Sequence, residues 1–233
     1  MKTIGLIGGM SWESTVTYYR LINEAVQKRL GGVHSARILM HSFDFEDIAA
    51  LQRAGNWAEC DAVIARAGQG LVEAGADVLL ICTNTMHLCA SALEKAVRVP
   101  VLHIADPLGE AIAAEGLSRV GLLGTKFTME RADVLKGRLK TAFDLDILTP
   151  DGDDADEVHR IIFAELCCGH FRDSSRARLA AIIAGLVARG AQGIILGCTE
   201  IPLLVTADDA SAPLFDTTAL HAGAAAAFAL EEG

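Results

Sequence analysis

The chain repeats itself, and that duplication is what most limits the folds open to it. Ile4-Gly-Leu-Ile-Gly8 is matched by Val120-Gly-Leu-Leu-Gly124, each a short apolar run ending in glycine. Gly75-Ala-Asp-Val-Leu-Leu-Ile-Cys-Thr83 is matched by Gly190-Ala-Gln-Gly-Ile-Ile-Leu-Gly-Cys198, and Pro100-Val-Leu-His-Ile-Ala-Asp106 by Pro213-Leu-Phe-Asp-Thr-Thr218. Helical patterns precede the second pair, from Trp57 to Ala74 and from Ser174 to Arg189, and each stops at a glycine. Ala-rich helical stretches follow the third pair, the last of them covering Ala222 to Leu230. Strand alternating with helix twice over predicts an α/β fold with a parallel sheet in each half. Two similar halves are expected to be related by pseudo-twofold symmetry, with the site in the cleft between them. The expected halves are residues 1–98 with about 210–233, and about 99–209.

Two polar clusters stand where buried strands should end: Leu80-Ile-Cys-Thr-Asn-Thr-Met-His87 and Ile195-Leu-Gly-Cys-Thr-Glu-Ile-Pro202. The carboxyl ends of strands are where open α/β sheets place ligands. The second cluster offers Cys198, and its counterpart is either Cys82 or Thr83. Aligning the Cys-Thr dipeptides pairs Cys82 with Cys198. Aligning Gly75 with Gly190 runs without a gap into Thr83 opposite Cys198. One residue of slip turns a strand side chain to the other face, so only one register can hold. The Gly-Ala anchor is the longer match and favours Thr83, which leaves Cys82 as a core thiol. Ser11 or Ser14, and Thr125 or Thr128, are placed to cap the helices after the first strand of each half, with Glu13 and Glu130 at the positive dipole ends.

Composition narrows the class of function. Over 233 residues, 52% hydrophobic and 21% charged content describes a compact globule, and a net charge of −10 disfavours nucleic acid or an anionic membrane as partner. No apolar run approaches the roughly 18 residues of a membrane span, and the start is too short for a signal-peptide core, so a cytoplasmic location is expected. The six cysteines form no C-x-x-C pair or disulfide framework, and no His/Cys cluster has zinc-ligand spacing, so no metal is expected. The acidic stretch from Thr149 to Glu157 reads as a solvated, irregular loop that lacks the spacing of a calcium site.

Gly8-Gly-Met-Ser11, Asn84-Thr-Met-His87, Gly197-Cys-Thr-Glu200 and Phe215-Asp-Thr-Thr218 together resemble the aspartate/glutamate racemase family, whose isomerases work without pyridoxal phosphate. The similarity runs over essentially the whole chain. The family's first motif reads Cys-Asn-Thr-x-His and its second Gly-Cys-Thr. Placing Asn84 and Thr85 on the first motif puts Thr83, not Cys82, at the first catalytic position. The chain is therefore similar to a branch with threonine in place of one of two catalytic thiols. The resemblance implies racemisation of aspartate, glutamate or a broader set of amino acids, no cofactor, and a homodimer.

Racemisation at Cα needs a base on one face and an acid on the other, and a thiol can serve near neutrality. Cys198 is the expected base for one enantiomer. Thr83, too weak an acid to ionise alone, is expected to donate or relay on the other face, giving a higher turnover number from one enantiomer. Helix N-termini at Met10-Ser11, Asn84-Thr85, Thr125-Lys126 and Thr199-Glu200 are expected to offer amides and hydroxyls to carboxylates. Gln52 or Arg53 could reach a side-chain carboxylate, although a solvated arginine is the alternative reading. Gly8 and Gly9 serve either a tight turn or direct contact. His87 either packs locally or joins a relay, and Glu200 either orients an ammonium or sits as a helix-start carboxylate. Other readings are a different Cα acid–base enzyme (a hydantoin racemase, decarboxylase or diacid isomerase) and a non-catalytic ligand-binding protein.

Overall fold

A computed structural model describes residues 1–131 and 133–231. The first elements are β1 (Thr3–Gly8), α1 (Trp12–Leu30), β2 (Arg37–Ser42), α2 (Phe45–Arg53), α3 (Trp57–Glu73) and β3 (Val78–Ile81). A 3₁₀ turn at Thr85–Cys89 leads to α4 (Ala90–Ala96), β4 (Val101–Leu102) and α5 (Ala105–Ala114). Next come β5 (Arg119–Leu123), α6 (Lys126–Glu130), α7 (Lys136–Phe143), β6 (Asp146–Leu148), α8 (Gly152–Ala164) and α9 (Asp173–Ala188). The chain ends with β7 (Ile194–Leu196), β8 (Leu214–Asp216) and α10 (Thr217–Leu230).

Two compact units result, residues 1–104 with 218–233, and residues 105–217. Each holds a four-stranded parallel sheet, ordered β2-β1-β3-β4 in the first and β6-β5-β7-β8 in the second. The two orders are the same, as the duplication requires. The chain crosses after Ile104 and after Thr217, a strand later than the boundaries expected near 98 and 210. The reason is pairing: β4 bonds to β3 and stays with the first sheet, while β8 bonds to β7 and stays with the second. Consequently α5, which follows β4, packs on α7 and β8, and α10, which follows β8, packs in the first unit.

The inner strands are buried on both faces, which explains their apolar sequences. In the first unit Ile4, Leu6, Val78, Leu80 and Cys82 face Tyr18, Ile22 and Val26 of α1 and Ala222, Ala225 and Ala229 of α10. Ile7, Leu79 and Ile81 point the other way, toward Ile64, Ala67 and Leu71 of α3. This alternation is the two-residue period of a strand. In the second unit Ile194, Leu196 and Cys198 pack with Val158, Ile161 and Ile162 of α8 and Leu179, Ile182 and Ile183 of α9.

The expected helices over 57–74 and 174–189 are present as α3 and α9, and the second strand lies at Arg37–Ser42. The acidic stretch is a correction. From Gly152 onward it is the start of α8, where Asp153 and Asp154 sit in the first turn. Carboxylates there complement the helix dipole, and Ala155, Val158, Ile161 and Ile162 supply an apolar stripe. Past its end, buried Glu165 accepts from Ser175 Oγ at 2.6 Å and Arg160 Nη1 at 2.9 Å.

His221 ties α10 into the first unit. Its Nε2 lies 2.9 Å from the Leu102 carbonyl and its Nδ1 lies 2.9 Å from Tyr18 Oη. A carbonyl can only accept, so Nε2 carries the proton and Nδ1 accepts from the tyrosine. Burial, reinforced by His87, pushes the His221 pKa down to about 3. The unfolded chain takes up this proton near pH 6.5, whereas the folded chain does so only near pH 3. His221 therefore favours the fold above pH 6.5, and that contribution drains away as the pH falls toward 3. Urea midpoints measured from pH 7 to pH 4 should fall less steeply in His221→Gln than in the parent chain. Parallel slopes would contradict this assignment.

Candidate active site

In both sheets the first strand has neighbours reached in opposite directions, β2 and β3 flanking β1, β6 and β7 flanking β5. Such reversal points leave a crevice at the strands' carboxyl ends, where ligands bind in open α/β sheets. The residues after β1 and β3, and after β5 and β7, are those singled out from the sequence.

Backbone hydrogen bonds settle which of them correspond. Asp77 N donates to Thr3 O as Gln192 N does to Arg119 O, at 2.8 and 2.9 Å. At the strand ends, Cys82 N donates to Ile7 O at 2.9 Å and Gly197 N to Leu123 O at 2.7 Å. Cys82 and Gly197 therefore occupy the same position of the repeat. The next residues, Thr83 and Cys198, are counterparts. Cys82 is fully buried in the apolar layer against α1 and α10, and burial pushes its thiol far above the ordinary range.

In the first unit, Ser11 rather than Ser14 caps α1, and the Ser11 carbonyl accepts from Thr15 Oγ1 at 2.8 Å. Thr15 Oγ1 in turn accepts from Gly9 N at 2.8 Å, which folds the β1–α1 turn tightly. The turn leaves no room for larger residues. A Cβ on Gly8 would lie 2.5 Å from Thr15, and one on Gly9, at φ +84°, would lie 2.3 Å from the Phe43 carbonyl. The two glycines are accounted for by the turn itself. Met10 is buried beside it.

Thr83 is half-buried and Asn84 and Thr85 are buried. The expected helix start at Asn84-Thr85 is instead a 3₁₀ turn, as is Ile201–Leu203 after Thr199-Glu200. The tight i→i+3 bonds His87 N to Asn84 O and Leu203 N to Glu200 O form these turns. Pro202 adds to the second by removing a backbone donor. Gln52 is buried near the end of α2, its Nε2 donating to Met86 Sδ at 3.1 Å. Arg53 is exposed and pairs with Glu46 on its own helix.

His87 is oriented by the backbone on both sides. Its Nδ1 donates to the Thr83 carbonyl at 2.8 Å and its Nε2 accepts from Ile104 N at 3.2 Å. His103 and His221 lie edge-on to it, with ring centroids at 4.6 and 5.7 Å. The sequence drew attention only to His87, because His103 and His221 sit in segments that read as strand and Ala-rich helix. Among the described residues no group of three or more His, Cys, Asp or Glu is arranged to hold a metal ion.

In the second unit, Thr125 rather than Thr128 caps α6, accepting from Thr128 N at 3.3 Å. Lys126 is paired with Asp156, which holds its ammonium firmly protonated, and its amide donates to His159 Nδ1 at 3.3 Å. Burial, then Lys126, lowers the His159 pKa. At the end of β7, Cys198 Sγ donates to Glu200 Oε2 at 2.9 Å, and Thr199 Oγ1 donates to the same oxygen at 2.9 Å. Cys198 is 7% exposed and Glu200 2%. Burial raises the thiol pKa well above its ordinary value, and the Glu200 charge raises it further. At rest this pair is a thiol donating to a carboxylate.

The family profile described as Asp/Glu/Hydantoin racemase matches residues 7–225. The chain belongs to that family. A structure from Yersinia pestis described as a candidate Asp/Glu racemase is 50% identical and superposes with a TM-score of 0.92, over 99% of this chain and 100% of that one. An aspartate racemase homologue from Pyrococcus horikoshii is 31% identical with a TM-score of 0.86, over the same shares. Glutamate racemase from Pseudomonas aeruginosa is 31% identical over 141 residues, 60% of this chain and 51% of that protein. The chain thus spans about half the length of the curated relatives it matches. The family membership agrees with the resemblance read from the Asn84-Thr-Met-His87 and Gly197-Cys-Thr-Glu200 segments.

Thiol reactivity tests the electrostatics of this site. Iodoacetamide at pH 8 should label exposed Cys168 first, Cys198 slowly, and Cys82 only on unfolding. Glu200→Gln removes the charge and the carboxylate acceptor that raise the thiol pKa, so Cys198 labelling should quicken, by about tenfold per pKa unit relieved. Peptide mapping reads each site, and slower labelling of Cys198 in the variant would count against the assignment.

Proposed function

We propose that the chain is a cofactor-independent racemase of acidic amino acids, acting in the cytoplasm, with Thr83 and Cys198 serving opposite faces of one Cα. The observation that carries this reading is the shared position of the two residues, each the second beyond the last residue of the strand at its sheet's reversal point. Family membership supports the reaction type.

The Cys198–Glu200 pair suits a base that must stay protonated until needed. The pair carries one proton and one negative charge whether the proton rests on sulfur or on Oε2. Moving it to Glu200 relocates a buried charge without creating a second one, which burial would penalise heavily. The thiolate so formed takes the Cα proton, forming an S–H bond while the C–H electron pair delocalises into the substrate's α-carboxyl group. Reprotonation on the other face is relayed through the Thr83 hydroxyl, which passes its proton to carbon as it takes one from solvent water, and Glu200 then returns its proton to solvent. In the reverse direction Thr83 must receive a proton first held by carbon, a harder task for an alcohol than for a thiol. Met10, Ser11, Gln52, Asn84, Thr85, Thr125, Lys126 and Thr199 complete the binding set in this reading. Because Lys126 is already paired with Asp156, hydroxyls and backbone amides carry most of the carboxylate recognition.

The family resemblance also favours a homodimer. Trp12, Val16 and Tyr19 form an exposed apolar stripe along α1 that such an association would cover.

Single enantiomers of aspartate, glutamate and uncharged amino acids incubated in heavy water test the proposal by inversion and Cα deuteration. Cys198→Ser and Thr83→Ala should each lower inversion about 10²- to 10⁴-fold. Turnover numbers should differ between enantiomers, with Michaelis constants offsetting the difference, because enantiomers are equally stable in water. Equal turnover numbers would contradict the unequal pair. Saturable binding without exchange would instead indicate a binding protein, and turnover of a hydantoin or diacid alone would indicate another Cα acid–base enzyme.

A further inference from the structure

We infer that His87 is a positioning residue for Thr83, fixing the threonine from behind through its carbonyl and taking no proton from the substrate. The inference rests on the proposed role of Thr83.

The argument begins with donors and acceptors. Beyond β3 the chain leaves the sheet ladder, and Thr83 precedes a 3₁₀ turn rather than a strand or an α-helix. Its carbonyl is bonded by His87 Nδ1–H at 2.8 Å, a side-chain bond spanning four residues. His87 Nε2 is itself bonded by the amide of Ile104, just past β4 at the edge of the same sheet. A carbonyl cannot donate and an amide N–H cannot accept, so the ring is the neutral Nδ1–H tautomer. Both ring nitrogens thus hold main chain. One imidazole links the end of inner strand β3 to the end of edge strand β4.

The surroundings reinforce that role. His87 is 3% exposed, His103 6% and His221 fully buried. His221 is neutral by the same accounting, since it donates to the Leu102 carbonyl and accepts from Tyr18. Two neutral rings therefore hold Leu102 at the end of β4, Ile104 just past it, and the carbonyl of Thr83. Proton transfer to carbon is sensitive to placement of the donor, and a shift of about 1 Å can cost on the order of 10²-fold. A residue that holds the Thr83 backbone should thus matter for the Thr83 face and leave the Cys198 face working.

This asymmetry makes the inference testable. His87→Phe removes both ring bonds, while His87→Asn keeps an N–H donor near the Nδ1 position and tests rescue. Each variant is incubated in heavy water with the enantiomer that still exchanges its Cα proton in Thr83→Ala, the one deprotonated by Cys198. In His87→Phe, inversion should fall about 10- to 100-fold while exchange with retained configuration persists within about threefold. His87→Asn should recover most of the inversion. If retained exchange and inversion fall together in His87→Asn while its urea midpoint stays unchanged, His87 has a wider role and the inference fails. It fails equally if His87→Phe inverts substrate at the parent rate, or if His87→Asn inverts no better than His87→Phe. Should Thr83→Ala itself keep full inversion, the proposed role of Thr83 is what has failed.

Discussion

The hydrogen bond from the Cys82 amide to the Ile7 carbonyl, with its counterpart from Gly197 to Leu123, sets the register on which the rest of the structure depends. Each is the last rung of an inner parallel pair. Beyond it the chain is released from the sheet, and the next side chain emerges at the carboxyl end where the strand order reverses. In the first unit that residue is Thr83 and in the second Cys198. A slip of one residue would have exposed Cys82 and buried Thr83. Packing forbids the slip, because Val78, Leu80 and Cys82 fill one apolar layer while Leu79 and Ile81 fill the other.

The two units solve the problem of buried polarity differently. In the second, the Cys198 thiol and the Thr199 hydroxyl both donate to one carboxyl oxygen of Glu200. In the first, His87 is held neutral by main-chain partners on both nitrogens, and His221 by the Leu102 carbonyl and the Tyr18 hydroxyl. Burying either ring in charged form would cost heavily, so each instead works as a rigid two-ended hydrogen-bonding unit. The chemistry proposed for each follows from this difference: movable protons beside Cys198, fixed ones behind Thr83.

Much of this was legible from residues alone. Apolar runs bounded by glycine located β1, β3, β5 and β7, since strands buried on both faces need continuous hydrophobicity. The repeat announced two like sheets, and Gly75 and Gly190 marked the ends of α3 and α9. Less legible were the segments whose conformation depends on distant partners. Asn84-Thr85 and Thr199-Glu200 resembled helix starts but became 3₁₀ turns. The acidic residues of α8 looked like a loop, because the charges that suit a helix's first turn also suit solvent. The clustering of His87, His103 and His221 could not be seen, because it depends on α10 returning to the first unit after β8.

By itself, the sequence determined the kind of sheet, its duplication, and the register that makes Thr83 and Cys198 counterparts in the repeat, since all three follow from local hydrophobic pattern and spacing. Tertiary structure decided which of these residues are paired. Glu200 lies two positions from Cys198, a spacing that says nothing of contact until the turn after β7 brings its carboxylate to the thiol. His87 could have served as base, ligand or packing residue. Only the positions of the Thr83 carbonyl and the Ile104 amide, on two adjacent strand ends, commit both its nitrogens to the backbone. Hydrogen-bond roles depend on three-dimensional neighbours, and a linear sequence does not contain them.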